Sequence, residues 1–565
     1  MVFSRFFSGA LLVFAATACG GSSRFPLRAP LLEDDDRRPF SPMPEEYESP
    51  FAWDAANQTI FRPVSRFFAV DPAGPAVNVN ALDEVPNSSW FENRIGVRAM
   101  TPAEVIRGSC SEQALDPKMP DGSWIIDHGK DNGANPGFRV NIKGLGKFML
   151  KTDPETEPDR ATGATAIASR VYYAAGYYSP CDTVVYFRPS LLHLKPGLKV
   201  TNNQGVTRPF DQQRLEEILK SASHRDGLVR MVASEWLPGK PLGPYTYDGK
   251  RDDDPNDVIP HEDRRELRGE RLISAWLNHF DSREQNTLDV FMFADPKKKE
   301  GPGHVVHYII DMGDCFGSVW TSDGMSRRLG NAYMLDMPYL VEDFLTLGVN
   351  ERPWEKQQLT GGVFNYFSAR DFDPELWRGE YPNPAYGRMV EGDGAWAARI
   401  IARFTDELVA AFVSVGKYDP QSERYLTETL IARRDVILRH YLSRLSPLTD
   451  LKVQGQVLSG VDLARKTRIV PNESLSPRAR VYRGESLADG GAVPVRIAPD
   501  ATFSLQIAHS ARDGGDPDDA PARYLVVDVF NGYAPGPLRV HLYDLGPARG
   551  FRLAGIERPE NGKAP

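Results

Sequence analysis

The chain has 565 residues, 41% hydrophobic and 25% charged, which excludes wholesale disorder and calls for two or three domains. A net charge of −9 argues against a dedicated nucleic-acid surface, so no nucleic-acid partner is expected. Forty-five prolines imply long, loop-rich connections.

At the N-terminus, Arg5 is followed by a short apolar stretch, Phe6 to Ala18. It is too short to span a bilayer and reads as a signal peptide over residues 1–19. Ala16-Thr17-Ala18-Cys19 followed by Gly20-Gly21 resembles a bacterial lipobox, which implies that Cys19 becomes a lipidated N-terminus. That resemblance places the protein at a bacterial cell envelope, anchored to a membrane on the periplasmic side or at the cell surface. Residues 20–50, rich in proline and acidic side chains, are expected to form a disordered tether. Residues 51–105 form an irregular extension whose aromatics, Trp90 and Phe91 among them, are expected to pack on the main body.

Residues 106–240 read as strand-rich. Trp124-Ile125-Ile126 is a strand, a glycine- and asparagine-rich turn runs from Gly129 through Gly133 to Gly137, and Phe138 to Ile142 alternates as a half-buried strand. Gly144-Leu145-Gly146 turns the chain into Lys147 to Lys151, with Lys147, Met149 and Lys151 on one face. A helix is predicted from Ala161 to Ala175, stopped at Gly176. Further strands are Thr183 to Phe187 and Leu228 to Ser234.

Residues 241–447 read as helical. The spacing predicts a helix from Glu262 to Asn278, a second carrying Trp396, Ile400, Phe404, Leu408, Phe412 and Val415, and a third from Leu426 to Leu445. Residues 448–565 form a small β module, with strands at Tyr524 to Phe530 and Leu538 to Tyr543. Cys110, Cys181 and Cys315 remain after Cys19. Cys110 and Cys181 are the expected disulfide, because Cys315 sits inside a chemistry-bearing loop. The acidic run Arg251 to Asp257 lacks the glycine and closing glutamate of a calcium loop and reads as an exposed loop.

That chemistry-bearing loop is Asp311-Met312-Gly313-Asp314-Cys315-Phe316-Gly317, led by the apolar strand Val305 to Ile310. Upstream lies His279-Phe280-Asp281, with Asn286 five residues beyond the aspartate. An HxD, an asparagine at that spacing and a strand ending in Asp-x-Gly form the set that kinase-type folds use for phosphoryl transfer. In that reading Asp281 orients the attacking hydroxyl and accepts its proton, while Asn286 and Asp311 hold Mg²⁺ or Mn²⁺. Lys151 would neutralise the phosphates of ATP or another nucleotide. Backbone amides of the turn between Gly129 and Gly137, those of Gly133 and Gly137 among them, would approach them. Glu235 and Leu237, in the stretch Ser234 to Gly239, would form a hinge that pairs with the base. No Gly-x-Ser-x-Gly, His-Glu-x-x-His or paired Cys-x-x-Cys supports a hydrolase, zinc protease or redox enzyme.

The HxD and Asp-x-Gly-x-x-Phe-Gly pieces resemble the atypical branch of the kinase superfamily: phosphoinositide 3- and 4-kinases, HipA-type kinases and secreted Fam20-type kinases. Lys151-Thr152-Asp153-Pro154, with a helix closing in Ala174-Ala175-Gly176-Tyr177, is similar to the HipA-type first lobe. Pro136-Gly137-Phe138 and Arg265-Glu266-Leu267-Arg268-Gly269 also resemble a group of exported bacterial proteins, which implies no activity. The resemblance covers residues 124 to 320 and implies an α+β, two-lobed kinase-like fold with a strand-rich first lobe and a helical second lobe. The implied activity is phosphoryl transfer from a metal-nucleotide to a hydroxyl on a protein or small molecule. The alternative is a pseudokinase-like binding module.

Two departures stand out. Related kinases carry a glutamate on the helix after the lysine strand, and Gly163 to Ile167 has none; Glu155, Glu157 or Asp159 are the substitutes in reach. Asp295 to Gly303 reads as a hairpin insertion between Asn286 and Asp311, with a solvated lysine tip.

Overall fold

The computed structural model describes residues 24–68, 74–111, 115–130, 135–201, 206–319, 322–360, 362–470 and 476–565. The protein is mixed α+β, with several sheets and a body of helices.

Three consecutive strands, β1 (Trp124–Lys130), β2 (Gly137–Ile142) and β3 (Gly146–Lys151), form an antiparallel meander. β3 then pairs with Leu228–Glu235, which pairs with Asp182–Phe187 at the sheet edge. Alternation sorts the faces. Phe138, Val140, Phe148 and Leu150 point into a core closed by Phe210 and by Leu215 and Ile218 of the helix Gln212–Ser221. Lys147, Met149 and Lys151 occupy the opposite face of β3, as their spacing predicts.

The helix Arg160–Ala175 is buried along almost its whole length. Alanine, glycine, threonine and serine dominate it, so it has no polar face to keep in water and packs on both sides. Ile167, Ala168 and Val171 join the core formed by the helices Arg265–Leu277, Glu391–Ile401, Asp406–Ser414 and Pro420–Tyr441. Trp276, Trp396, Phe404 and Phe412 fill the centre of that core. The predicted single helix through Trp396 and Val415 is two helices. The first ends at Ile401 and Thr405 starts the next, its hydroxyl accepting the Leu408 amide at 3.3 Å, while the apolar period runs on across the break. The predicted start at Glu262 moves to Arg265, because His261 to Asp263 form a 3₁₀ turn and Arg264 is extended.

The expectation of a disordered tether is corrected over residues 24–50. Asp36 is buried and accepts the Ser89 amide at 2.9 Å and its hydroxyl at 2.7 Å. Phe40 and Gly303 exchange backbone hydrogen bonds of 2.8 and 3.1 Å. An extended, proline-rich segment leaves its backbone groups unused, and here the body supplies partners for them. Residues 51–68 are likewise a helical run, Phe51–Ala56, Asn57–Phe61 and Arg62–Phe68. Trp90 and Phe91 are buried as expected, with Trp90 stacked on His307 at 3.4 Å.

The acidic run is not an exposed loop throughout. Asp254, Asn256 and Asp257 are buried, and Asp257 stays there because His261, Arg264 and the Arg251 amide surround it. The Cys110–Cys181 disulfide is formed and Cys315 is free and buried. Beyond Leu448 two antiparallel sheets pack face to face, with Leu458, Phe503 and Leu505 of one meeting Val481, Val527 and Val540 of the other.

Candidate functional site

Asp311 follows the strand Gly303–Ile309 and has a left-handed backbone, φ 55° and ψ 55°. Aspartate tolerates that region better than most residues, and a non-glycine there marks a locally determined geometry. Downstream, Met312, Cys315 and Phe316 are wholly buried and anchor the loop in the helical core. Buried Arg160 clasps it from the first turn of its helix, donating to the carbonyls of Gly313 at 2.8 Å and Cys315 at 3.3 Å. The same guanidinium binds Glu157 at 2.8 Å and Asp314 at 3.4 Å.

Lys151, at the end of β3, places its Nζ 2.8 Å from Asp311 Oδ1. The ammonium holds the Asp311 carboxyl down to about 2, against the opposing effect of burial. Solvent still reaches 45% of the Asp311 side chain, so the attraction is screened in part. Burial alone would lower Lys151; Asp311, then Asp182 and Asp314, outweigh it and raise the ammonium.

Asn286 donates its amide to Asp281 Oδ2 at 2.7 Å and to the Asp281 carbonyl at 2.8 Å. The Ile310 amide donates to the Asn286 carbonyl at 3.0 Å, which ties the HxD segment to the residue before Asp311. Asp281 is buried, and burial followed by the nearby Asp314 charge pushes its carboxyl well above the usual range. Its Oδ1 faces His279 Nε2 at 3.3 Å, close but not aligned as a hydrogen bond, and neither atom has another partner. Arg283 balances part of this charge, lying 2.8 Å from Glu380 and 3.7 Å from Asp281. Lys151, Asp281, Asn286 and Asp311 are thus linked pairwise, through Ile310, into one locality.

The other expected site residues fare differently. Gly133 and Cys19 lie outside the described residues. Gly137 sits within β2 rather than in a turn, and a Cβ there would lie 2.1 Å from the Leu150 carbonyl oxygen. Gly129 is likewise in β1, against the Phe210 ring. Both glycines that bound the expected phosphate turn thus lie in strands where close neighbours leave no room for a side chain. The Glu235 amide donates to the Cys181 carbonyl at 2.9 Å, so of the hinge groups expected to pair with a base this amide is already engaged. Glu235 and Leu237 line a cavity of about 390 Å³ together with Tyr178, Ser179, Trp236 and Tyr308.

Lys151 pairs with Asp311 rather than with one of the expected glutamate substitutes. Glu157 is held instead by Arg160, Asn365 and the Val319 amide, and Asp159 pairs with Arg225 and Arg230. The sequence reading missed two groups beside Lys151. Lys130 is registered opposite Gly137, which is registered opposite Lys151, so the lysines share one row across three strands. Burial, and then the Lys151 charge, bring Lys130 down to about 8. Asp182, buried at a strand start and hydrogen-bonded by Ser234, is pushed up to about 6 by burial. Extending the β1–β2 hairpin register by four residues would have found Lys130. Asp182 has no motif to announce it.

Among the described residues no group of three or more His, Cys, Asp and Glu side chains stands ready to hold a metal, and no helix is long and apolar enough to cross a membrane. Compared with family models, with curated proteins and with solved structures, the chain matches none.

Proposed function

We propose that this chain is an atypical kinase-like phosphotransferase, exported and lipid-anchored through Cys19 at a bacterial cell envelope, which moves a phosphoryl group from a metal-nucleotide to a hydroxyl acceptor. The strand-rich and helical parts are read as its two lobes. The observation that carries this reading is the contact of Lys151 with Asp311 at 2.8 Å, one backbone hydrogen bond away from the Asn286–Asp281 pair. Residues 160 positions apart in sequence supply a cation for phosphate and oxygens for a divalent ion at one place.

The donor types suit a hard cation, though among the described residues the carboxylates do not stand gathered as a ready metal site. Asp281, Asn286, Asp311 and Asp314 offer only oxygens as metal donors, Asp281 Oδ1 lacks a hydrogen-bond partner, and the like charges crowd one another. Asn286 and Asp311 would hold Mg²⁺ or Mn²⁺, which when bound neutralises charge on the phosphates. Lys151 and Lys130 would pair with phosphate oxygens from the sheet side. Asp281, with its affinity for protons raised by burial, would orient the acceptor hydroxyl and hold its proton at a carboxylate oxygen.

Thermal denaturation with Mg²⁺ and ATP tests binding: the melting temperature should rise, and Asp311→Ala should abolish the rise. Radiolabel transfer should vanish in Asp281→Ala while binding persists.

A second reading, a pseudokinase-like module that binds without turnover, is favoured by one observation. Lys151 receives no carboxylate from its neighbouring helix, and its recorded acid partner is Asp311 itself. Binding without transfer in the unaltered protein would decide for it.

A further inference from the structure

A buried carboxyl sits in the helical core with no role in the chemistry above. Glu270 is wholly buried, and Tyr247 Oη approaches its two oxygens at 3.0 and 3.1 Å. Tyr386 Oη lies 2.9 Å from Glu270 Oε1 and 3.1 Å from Ser274 Oγ. Ser274 Oγ lies 2.9 Å from Tyr172 Oη, and Tyr172 Oη lies 2.9 Å from His279 Nδ1. The other nitrogen of that ring faces Asp281 at 3.3 Å. An unbroken file of hydrogen-bonding groups therefore runs from Glu270 to the ring behind Asp281.

We infer that Glu270 is a positioning residue, which sets, through Tyr386, Ser274 and Tyr172, the tautomer of His279 and hence whether that ring offers Asp281 a proton or a lone pair. The argument is one of donor capacity. Each hydroxyl has a single hydrogen, and a neutral imidazole has one N–H. Ionised Glu270 has no hydrogen to give, so Tyr386 must donate to it. Ser274 then donates to Tyr386, Tyr172 to Ser274, and His279 Nδ1–H to Tyr172, leaving a lone pair on Nε2. When Glu270 is protonated its hydrogen can be donated to the Tyr386 oxygen and every donor reverses. Tyr172 then donates to Nδ1, and Nε2–H faces Asp281. One proton is gained overall: the four hydrogens of the file cross their hydrogen bonds towards Glu270, and the incoming proton lands on Nε2 from the Asp281 side.

Three features favour a working file over a satisfied core. The titratable groups among the described residues that feel the Glu270 charge include five phenols: Tyr245 and Tyr247 before the Arg265 helix, Tyr386 after it, and Tyr172 and Tyr177 at the end of the Arg160 helix. Among the described residues no cation pairs with Glu270, and burial pushes it up to about 8, within reach of ordinary conditions. His279 bonds Tyr172 through Nδ1 at 2.9 Å and faces Asp281 through Nε2 at 3.3 Å, with Asp311 and Arg283 also bearing on it, so a neutral ring here must choose which side receives its single N–H.

The inference rests on the proposed function only for what Asp281 does, and its test needs no nucleotide. In the full chain with ¹⁵N-histidine and ¹³C-glutamate labels, His279 is assigned by the signal lost in His279→Gln. Its Nε2–H tautomer should dominate at neutral pH and give way to Nδ1–H as the Glu270 carboxyl titrates. Tyr172→Phe should leave the Glu270 titration but uncouple the ring from it, and Glu270→Gln should abolish the pH-dependent switch. A His279 tautomer indifferent to Glu270 ionisation, a Glu270 that does not titrate while the protein is folded, or coupling that survives Tyr172→Phe would each overturn the inference. A switch present in a protein that transfers no phosphate would sustain it while removing the enzymatic reading.

Discussion

The two sides of the Lys151–Asp311 contact hold their charges by different means. On the sheet side, Lys130 and Lys151 are placed by backbone register alone: β1, β2 and β3 pair residue by residue, and the lysines fall in one row with Gly137 between them. On the helical side, Asp281, Asp311 and Asp314 sit on turns, and each depends on side chains brought from elsewhere. Arg160 reaches across from another helix, Arg283 balances Asp281 and Glu380, and Asn286 holds Asp281. Strand pairing thus fixes like charges side by side with little side-chain support, whereas a loop of carboxylates needs a surrounding web. Breaking the web should therefore cost stability first, and removing a strand lysine should cost ligand affinity first.

The largest expected effect follows from Arg160. It is buried against buried Glu157 and three groups of the 313–315 loop. Arg160→Ala leaves Glu157 in the interior without its cation, held only by neutral donors, and loss of one member of a buried pair costs about 3–5 kcal/mol. Urea denaturation should show that loss with an unchanged slope, since the surface exposed on unfolding is the same. A loss below about 1 kcal/mol would mean that the loop is held without the guanidinium.

Lys151→Ala comes next and separates the two sides. Removing a hydrogen bond between charged groups costs about 1.5–3 kcal/mol, or roughly 10- to 150-fold in nucleotide affinity if the ammonium pairs with phosphate. Fold stability should change less, because Asp311 retains 45% of its side-chain surface in solvent. The Asp311 carboxyl should rise from about 2 towards the ordinary aspartate range, read by ¹³C titration. With Lys151 present, Asp311 contributes stability above the unfolded-state value, lost as the pH falls towards 2; the alanine variant should lose this acid dependence.

The same division explains what was legible in the sequence. The face of Lys147, Met149 and Lys151 follows from alternation, and the HxD and Asp-x-Gly pieces are contiguous, so both could be read along the chain. Lys130, Asp182, Arg160 and Glu270 could not. Lys130 needed the hairpin register carried further than the strand was read, and the others acquire their meaning from neighbours remote in sequence: a lysine on another strand, a loop 153 residues away, or phenols from two segments. The tether reading failed for a related reason. Composition shows that residues 24–50 cannot form a core, but not that Asp36 finds the Ser89 amide or that Phe40 finds Gly303. The small-residue helix from Arg160 was legible as a helix, while its burial on both sides depended on surfaces that local periodicity does not describe.

The smallest expected effect tests the sheet side by pH. Lys130 loses its proton at about 8 in the folded chain, against 10.5 for the free side chain. Between those values the unfolded chain binds one more proton than the folded one, so this group makes stability rise with pH across that window. A polyphosphate between Lys130 and Lys151 would favour the ammonium, and by linkage its binding must draw a proton onto Lys130 just above pH 8. Calorimetry in two buffers of different ionisation enthalpy should therefore find proton uptake of up to one per nucleotide. Affinity should fall about three- to tenfold as the pH passes through the window. Lys130→Met should lose both the uptake and the alkaline decline while keeping most of the affinity at neutral pH, because Lys151 remains fully charged there. Equal uptake in the methionine variant would place the proton on another group and leave Lys151 as the sheet's one contribution to phosphate binding.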